Sequence, residues 1–503
     1  MTNRYFMGID IGTYSTKGVI TDQIGTILCS KVIQHNIITP KQGCVEHDPI
    51  KTWWEEFCLI SNSLIQETNI NPIDIKAVGV SAIGPCCLPV DKDCKPLRNA
   101  ILYGVDTRAV KEIEWLNKTI GEEIIFEQCA NALSAQAVGP KILWIKNNEP
   151  SIYQKAHMYL TSTSFIVAKL TGNYVIDHYT ASAFSPLYNY KKQAWDSKLC
   201  EGIVKIEQLP QVKWTTDIAG KINAQSAAET GLHVDTEVIV GTADAAAEAV
   251  SVGVTEPKEM MLMYGTTHFM IGVADKPIVE PRIWAGPYLF KDTYAVMGGL
   301  ATSGALTVWF KENFAKELIE KEKMGGENAF ALLAKEVSNV AVGSNGIIVL
   351  PYFSGARTPI NNPNAKGLIF GLNIMHKREE VYRGLLEGVA YAISQNIEIF
   401  DEVGLDIQNI FSVGGGTNNV CWMQIISDCC AREQWVLRHR IGASYGDAFL
   451  AALGNGTVNN RMDIKSWNSI EKKIKPNSVN TQKYKSLMKK YLELYCATKK
   501  LMD

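Results

Sequence analysis

Residues 6–28 read FMGIDIGTYSTKGVITDQIGTIL, and residues 259–279 read EMMLMYGTTHFMIGVADKPIV. Each stretch is an apolar run that predicts a strand, a turn carrying Gly-Thr, a second apolar run and a glycine-marked or charged turn. Two such hairpins half a chain apart predict duplicated domains. In each turn a glycine, Gly12 or Gly265, lets backbone come close to a ligand, and the hydroxyls of Thr13, Ser15, Thr266 and Thr267 can donate to phosphate oxygens. The pair reads as a clamp for a phosphate held between two halves.

A chain of 503 residues exceeds what one hydrophobic core usually supports, so two large domains are expected. Strand-like runs such as 77–81 alternate with helical stretches such as 50–67 and 381–400, which predicts α/β layers. Residues 128–231 read as insertions closing over a cleft, 304–322 as one long helix, and the Lys-rich tail from 466 as a solvated surface helix. No low-complexity linker separates the halves, so they are expected to pack closely.

The formal net charge of −2 supplies no field for nucleic acid or an anionic membrane. The twelve cysteines lack CxxC spacing, which predicts reduced thiols in a cytoplasmic protein. The first residues enter a strand without a signal-peptide pattern, and no apolar run approaches the roughly 20 residues of a membrane span. The eight histidines form no HExxH or clustered ligand pattern. Ser303 lies in TSG rather than in GxSxG and no triad order is suggested, and the glycine run 413–419 is neither GxGxxG nor the P-loop GxxxxGK[ST].

Asp10 ends an apolar run just before Gly12-Thr13. A carboxylate there suits Mg²⁺, which takes oxygen ligands and accompanies phosphates, and Lys17 would neutralise phosphate charge. Asp244, in VIVGTADAAAEAV, is a candidate general base, with helix capping as the alternative. The glycine run 413–419, VGGGTNN, precedes a helical pattern and admits an anion or a polar ring edge.

Taken in order, GIDIGTYSTKG, VEHDPIKTWW, AILYGVDTRA, GPKILW, GTADAAAEAV, MYGTTHF, LPYFSGARTP, KGLIFGL with LLEGVAYAI, and VGGGTNN make the chain resemble the FGGY carbohydrate kinases, in their xylulokinase-like branch, over residues 5–455. The resemblance implies two actin-like (ribonuclease H-like) α/β domains, 1–243 and 244–503, flanking a deep ligand cleft, with ATP and Mg²⁺ on one side and a sugar or polyol on the other. It implies Asp244 as catalytic base and Asp10 as the metal-associated carboxylate. Gly12, Thr13, Ser15 and Lys17 match the first phosphate loop, Gly265 and Thr266 the second, and Gly304, Gly415, Gly416 and Asn419 the nucleotide pocket. Asp106 falls in the sugar-side loop.

Many bacterial xylulokinases carry Gln-Met-His where this chain has Ile83-Gly84-Pro85, and Asn where it has Ala245. Both departures remove side-chain hydrogen-bond partners from the expected sugar site, so Gly84, Pro85, Asp106, Asp244 and Ala245 are the expected substrate set and the sugar itself stays open. The expected activity is ATP-dependent phosphorylation of a ketopentose such as D-xylulose. The alternatives are an L-ketopentose, gluconate or glycerol, or a nucleotide-switched actin-like binding protein. A homodimer is left open.

Overall fold

The computed structural model of the chain describes residues 4–502. Two seven-stranded sheets organise it. In the first, β1 (Tyr5–Ile11), β2 (Ser15–Asp22) and β3 (Ile27–Gln34) form an antiparallel meander. Strand β4 (Ile75–Ala82) lies parallel to β1, β5 (Ile218–Lys221) antiparallel to β6 (Glu237–Ile239), and both β6 and the short β7 (Thr242–Ala243) parallel to β4.

In the second sheet β8 (Glu259–Tyr264) and β9 (His268–Ala274) form the hairpin, extended antiparallel by β11 (Tyr294–Leu300) and then β10 (Trp284–Pro287). Strand β12 (Asn409–Val413) lies parallel to β8, β13 (Glu433–Leu437) parallel to β12, and β14 (Ile470–Ile474) antiparallel to β13. The order β3-β2-β1-β4-β6-β5 thus repeats as β11-β9-β8-β12-β13-β14 with the same directions. The hairpins mark a duplicated sheet, as their sequences predict.

Strand β1 is a nearly continuous apolar run because both its faces are covered. Helix α1 (Glu56–Thr68) packs on the outer face of the first sheet through Phe57, Ile60 and Leu64. Between the two sheets lie α2 (Asp244–Ser251) and α6 (Ala443–Gly454), in one core that joins Phe6 and Val19 of the first sheet to Met261 and Ile271 of the second. Helix α3 (Gly304–Phe314) follows β11, and α4 (Arg378–Glu402) with α5 (Val420–Cys430) covers the outer face of the second sheet. Helix α6 seats against glycines: a Cβ at Gly8 would lie 1.9 Å from the Ser444 carbonyl oxygen, and one at Gly79 2.1 Å from that of Asp447.

Three expectations are refined. The helix expected over 304–322 breaks at buried Ala315, whose φ/ψ of −140°/38° is not helical, into α3 and a short helix Lys316–Lys323. The tail contributes β14 before its helix, α7 (Ser478–Thr498). That helix buries Tyr484, Met488 and Tyr491, an i, i+4, i+7 stripe hidden among its lysines. Within the irregular stretch, Ile142, Phe184 and Leu187 belong to a small core of their own, and Asn131 Nδ2 donates to the Ala285 carbonyl (2.6 Å), bridging to β10. Among the described residues no helix is long and apolar enough to cross a membrane.

Candidate active site

The candidate residues gather at the C-terminal ends of parallel strands, where α/β sheets bind ligands. Gly12 follows β1, the Ile83–Pro85 loop follows β4, and Asp244 follows β7. The loops are tied together: Ile83 N–H donates to the Ile11 carbonyl (2.7 Å), and a Cβ on Gly84 would sit 3.2 Å from Ala243 Cβ. Gly84 and Pro85 are therefore neighbours of Asp244 and Ala245.

Sheet register builds the charged floor. Lys17 on β2 pairs with Asp10 on β1, Asp10 with Ser81 on β4, and Ser81 with Thr242 on β7, one row across four strands. Asp10 is 6% exposed. Ser81 Oγ lies 3.3 Å from Asp10 Oδ1 and 2.7 Å from Asp447 Oδ2. Glu248 stands one helical turn beyond Asp244 on α2, hence on the same face.

This floor is crowded with acids. Burial, then the charge of Asp244, raises the Asp10 carboxyl well above the usual carboxylate range. Burial pushes Asp244 up to about 6 against the Ala245 N–H and the Lys17 charge, and Glu248 up to about 7 with Lys17 again opposing. Buried Asp447 is raised too, and its Oδ1 has no hydrogen-bond partner. Like-charged carboxyls with one lysine among them leave a site that a cation would relieve. Among the described residues no three His, Cys, Asp or Glu side chains are placed to cage a metal. A single carboxylate, with phosphate oxygens and water, is the donor set Mg²⁺ accepts, and Asp10 fits it.

The first loop turns on the Gly12 N–H to Ser15 carbonyl bond (2.9 Å), and Thr13 Oγ1 lies 3.2 Å from the Tyr103 hydroxyl. The second turns on the Gly265 N–H to Thr267 carbonyl bond (3.1 Å) and is fastened to the start of α3: Gly304 N–H donates to the Gly265 carbonyl (3.1 Å) and Ala305 N–H to that of Thr266 (3.0 Å). A Cβ on Gly304 would meet Gly265 O at 2.4 Å, so only glycine permits this contact. The third glycine loop follows β12. Gly414, at φ +96°, packs on the end of β8, while Gly415 has open space around it.

Two expected ligands have other partners. The Asp106 carboxylate accepts from Val45 N–H (2.6 Å) and forms an ion pair with Arg108 (2.7 Å), which also reaches Glu46. Asn419 Oδ1 caps α5 by accepting from Trp422 N–H (3.0 Å).

Four contributors escaped the sequence reading. Glu248 was legible from its four-residue spacing after Asp244, and Asp447 from being an acid in an otherwise small and apolar helix. Ser81 had no local signal. Arg357, half-buried, forms no ion pair among the described residues and stands within electrostatic reach of Tyr103.

The chain matches the FGGY family of carbohydrate kinases, N-terminal domain, over residues 5–251, and the C-terminal domain of that family over 260–454. It is 27% identical to a xylulose kinase of Bacillus subtilis (strain 168), across 99% of this chain and 98% of that one, and 25% identical to a gluconokinase of Bacillus licheniformis, across 97% and 95%. A crystal structure of xylulose kinase from Rhodospirillum rubrum superposes with a TM-score of 0.93 at 26% identity, covering 99% of this chain and 100% of the other. Duplicated sheets, paired Gly-Thr loops and these full-length matches agree: the chain belongs to the FGGY family of carbohydrate kinases and is an ATP-dependent, Mg²⁺-using carbohydrate kinase.

Proposed function

We propose that this enzyme moves the γ-phosphoryl group of ATP to a hydroxyl of a ketopentose, D-xylulose first, with Asp244 accepting the hydroxyl proton. The observation that carries it is Asp244 itself: it follows β7 beside the Gly84–Pro85 loop, shares its surroundings with Asp10 and Lys17, and has a carboxyl poised at about 6. Gly12, Thr13 and Ser15 on one lobe (1–243), and Gly265 and Thr266 on the other (244–503), hold the transferring group. Gly304, Gly415, Gly416 and Asn419 border the nucleotide, Asn419 through its backbone and capped helix start. Gly84, Pro85 and Ala245 shape the sugar side, with Asp106 bracing it through Arg108. Asp10 would hold Mg²⁺, which when bound neutralises phosphate charge. Phosphoryl transfer depends chiefly on such positioning and charge stabilisation.

Only ionised Asp244 is a base, so kcat/KM for the sugar should fall as pH drops through about 6, with unit slope. A profile in the wild type that stays flat well below that value counts against the assignment.

The gluconokinase relative, matched over nearly the same length, favours a second reading: a sugar acid, polyol or other ketose as substrate. Gly84, Pro85 and Ala245 supply shape without side-chain hydrogen bonds, so a misplaced hydroxyl is penalised less. Accordingly, Ala245→Asn should sharpen selectivity among D-xylulose, L-xylulose, D-ribulose and L-ribulose, read as kcat/KM. Phosphorylation of none of the four, with gluconate or glycerol accepted, replaces the pentulose assignment. ATP consumption that no sugar stimulates would return the actin-like switch. Twelve free cysteines support a cytoplasmic location; light scattering will report whether the enzyme dimerises.

A further inference from the structure

The carbonyls of the first phosphate loop are held from behind by two histidine rings. His35, just past β3, donates its backbone N–H to the Tyr14 carbonyl (2.9 Å). Its ring Nε2 lies 3.1 Å from the Gly12 carbonyl oxygen and its Nδ1 2.9 Å from Glu56 Oε2, at the first residue of α1. The same Glu56 oxygen accepts from Thr16 Oγ1 (2.5 Å). One residue along the loop, the Thr13 carbonyl lies 3.2 Å from His47 Nε2, while Trp53 Nε1–H donates to His47 Nδ1 (3.1 Å).

Donor and acceptor rules fix the protons. An indole N–H only donates, so His47 Nδ1 is bare and its Nε2 carries the hydrogen given to Thr13: this ring is neutral. Burial, then the nearby His35, agrees by pushing His47 down to about 4. His35 differs, because a carbonyl and a carboxylate both only accept. With Glu56 as a carboxylate, making both bonds takes a proton on each ring nitrogen. The titratable groups facing it are Glu56, from α1, and His47, whose ring meets it edge-on at 5.1 Å between centroids. A neutral His47 and an ionised Glu56 are the neighbours an imidazolium needs.

We propose that His35 is a positioning residue for phosphoryl transfer: an imidazolium, held by Glu56, that fixes the Gly12 carbonyl and so aims the amides of the first phosphate loop. The proposal rests on the reading that residues 12–15 hold the transferring group. A cation on the Gly12 carbonyl polarises that peptide unit and strengthens the Thr13 N–H as a donor, and a loop anchored at two successive carbonyls needs little reorganisation as charge develops. The VEHDPIKTWW motif thereby acquires a task, since it supplies His47 and Trp53.

The test uses the full-length enzyme labelled with ¹⁵N-histidine, the His35 signals being assigned by their loss in His35→Gln. At neutral pH both His35 nitrogens should show imidazolium shifts, and Glu56→Gln should return the ring to a neutral tautomer. In kinetics, His35→Ala should lower kcat about 10- to 100-fold with the sugar KM within about twofold, the pattern of lost alignment, and His35→Gln should recover part of it. A neutral His35 in the wild type, or unchanged kcat in the folded alanine variant, overturns the proposal. Thr13→Ala is the separate check on its premise. If that variant keeps wild-type kcat, the phosphate-loop reading falls and this proposal with it; if it loses kcat while His35→Ala does not, only the proposal falls.

Discussion

Asp244→Asn should lower kcat about 10²- to 10⁴-fold while leaving ATP affinity within about tenfold. The substitution removes the base and keeps the shape: Asp244 Oδ1 accepts the Ala245 N–H at 2.8 Å, a bond the Asn carbonyl can also make. It also removes one negative charge from a floor where Asp10 and Glu248 already oppose each other, so the folded state should hold or gain stability. Steady-state rates at saturating sugar, calorimetric ATP titration and a thermal melt measure the three quantities. Near-wild-type turnover in the variant would falsify the assignment, and a lowered melt would redirect attention to helix α2.

Gly79→Ala should destabilise the protein by about 3 kcal/mol or more, at or beyond the upper end of ordinary overpacking. The added methyl would sit 2.1 Å from the Asp447 carbonyl oxygen and 3.2 Å from its Cα, backbone that cannot rotate away. Helix α6 would have to lift from β1 and β4, opening the core shared by both sheets. Gly415→Ala is the matched control, with nothing within 4 Å of its added methyl. It should leave the melting midpoint unchanged. Equal midpoints for the two variants would show that α6 has slack the packing does not suggest.

The candidate loops were legible as structure because each is a local signature: a strand, then Gly-Thr or Gly-Gly-Gly, then a second element. Duplication was legible for the same reason, since the two hairpins share one pattern. What escaped is assembled by tertiary contact. Ser81 meets Asp10 through sheet register, Asp447 arrives on a helix more than 360 residues further along, and His35 reaches Gly12 only because β3 folds back beside β2. Asp106 illustrates the converse. Its position in a family motif is plain, yet the carboxylate is taken up by Arg108 and Val45, which spacing cannot reveal. Lysines dominate the tail's composition and make it look solvated, while three residues at helical spacing decide its packing.

Helix α6 gives this enzyme an order of assembly opposite to its order of synthesis. The face of the first sheet formed by Phe6, Val19, Ala77 and Ile239 is closed by Tyr445, Ala448 and Phe449. A ribosome therefore finishes β1 first and cannot supply its cover until residue 454 has left the exit tunnel. While the residues between are being made, that apolar face lacks its cover, and a strand made early is sealed by a helix made long after it.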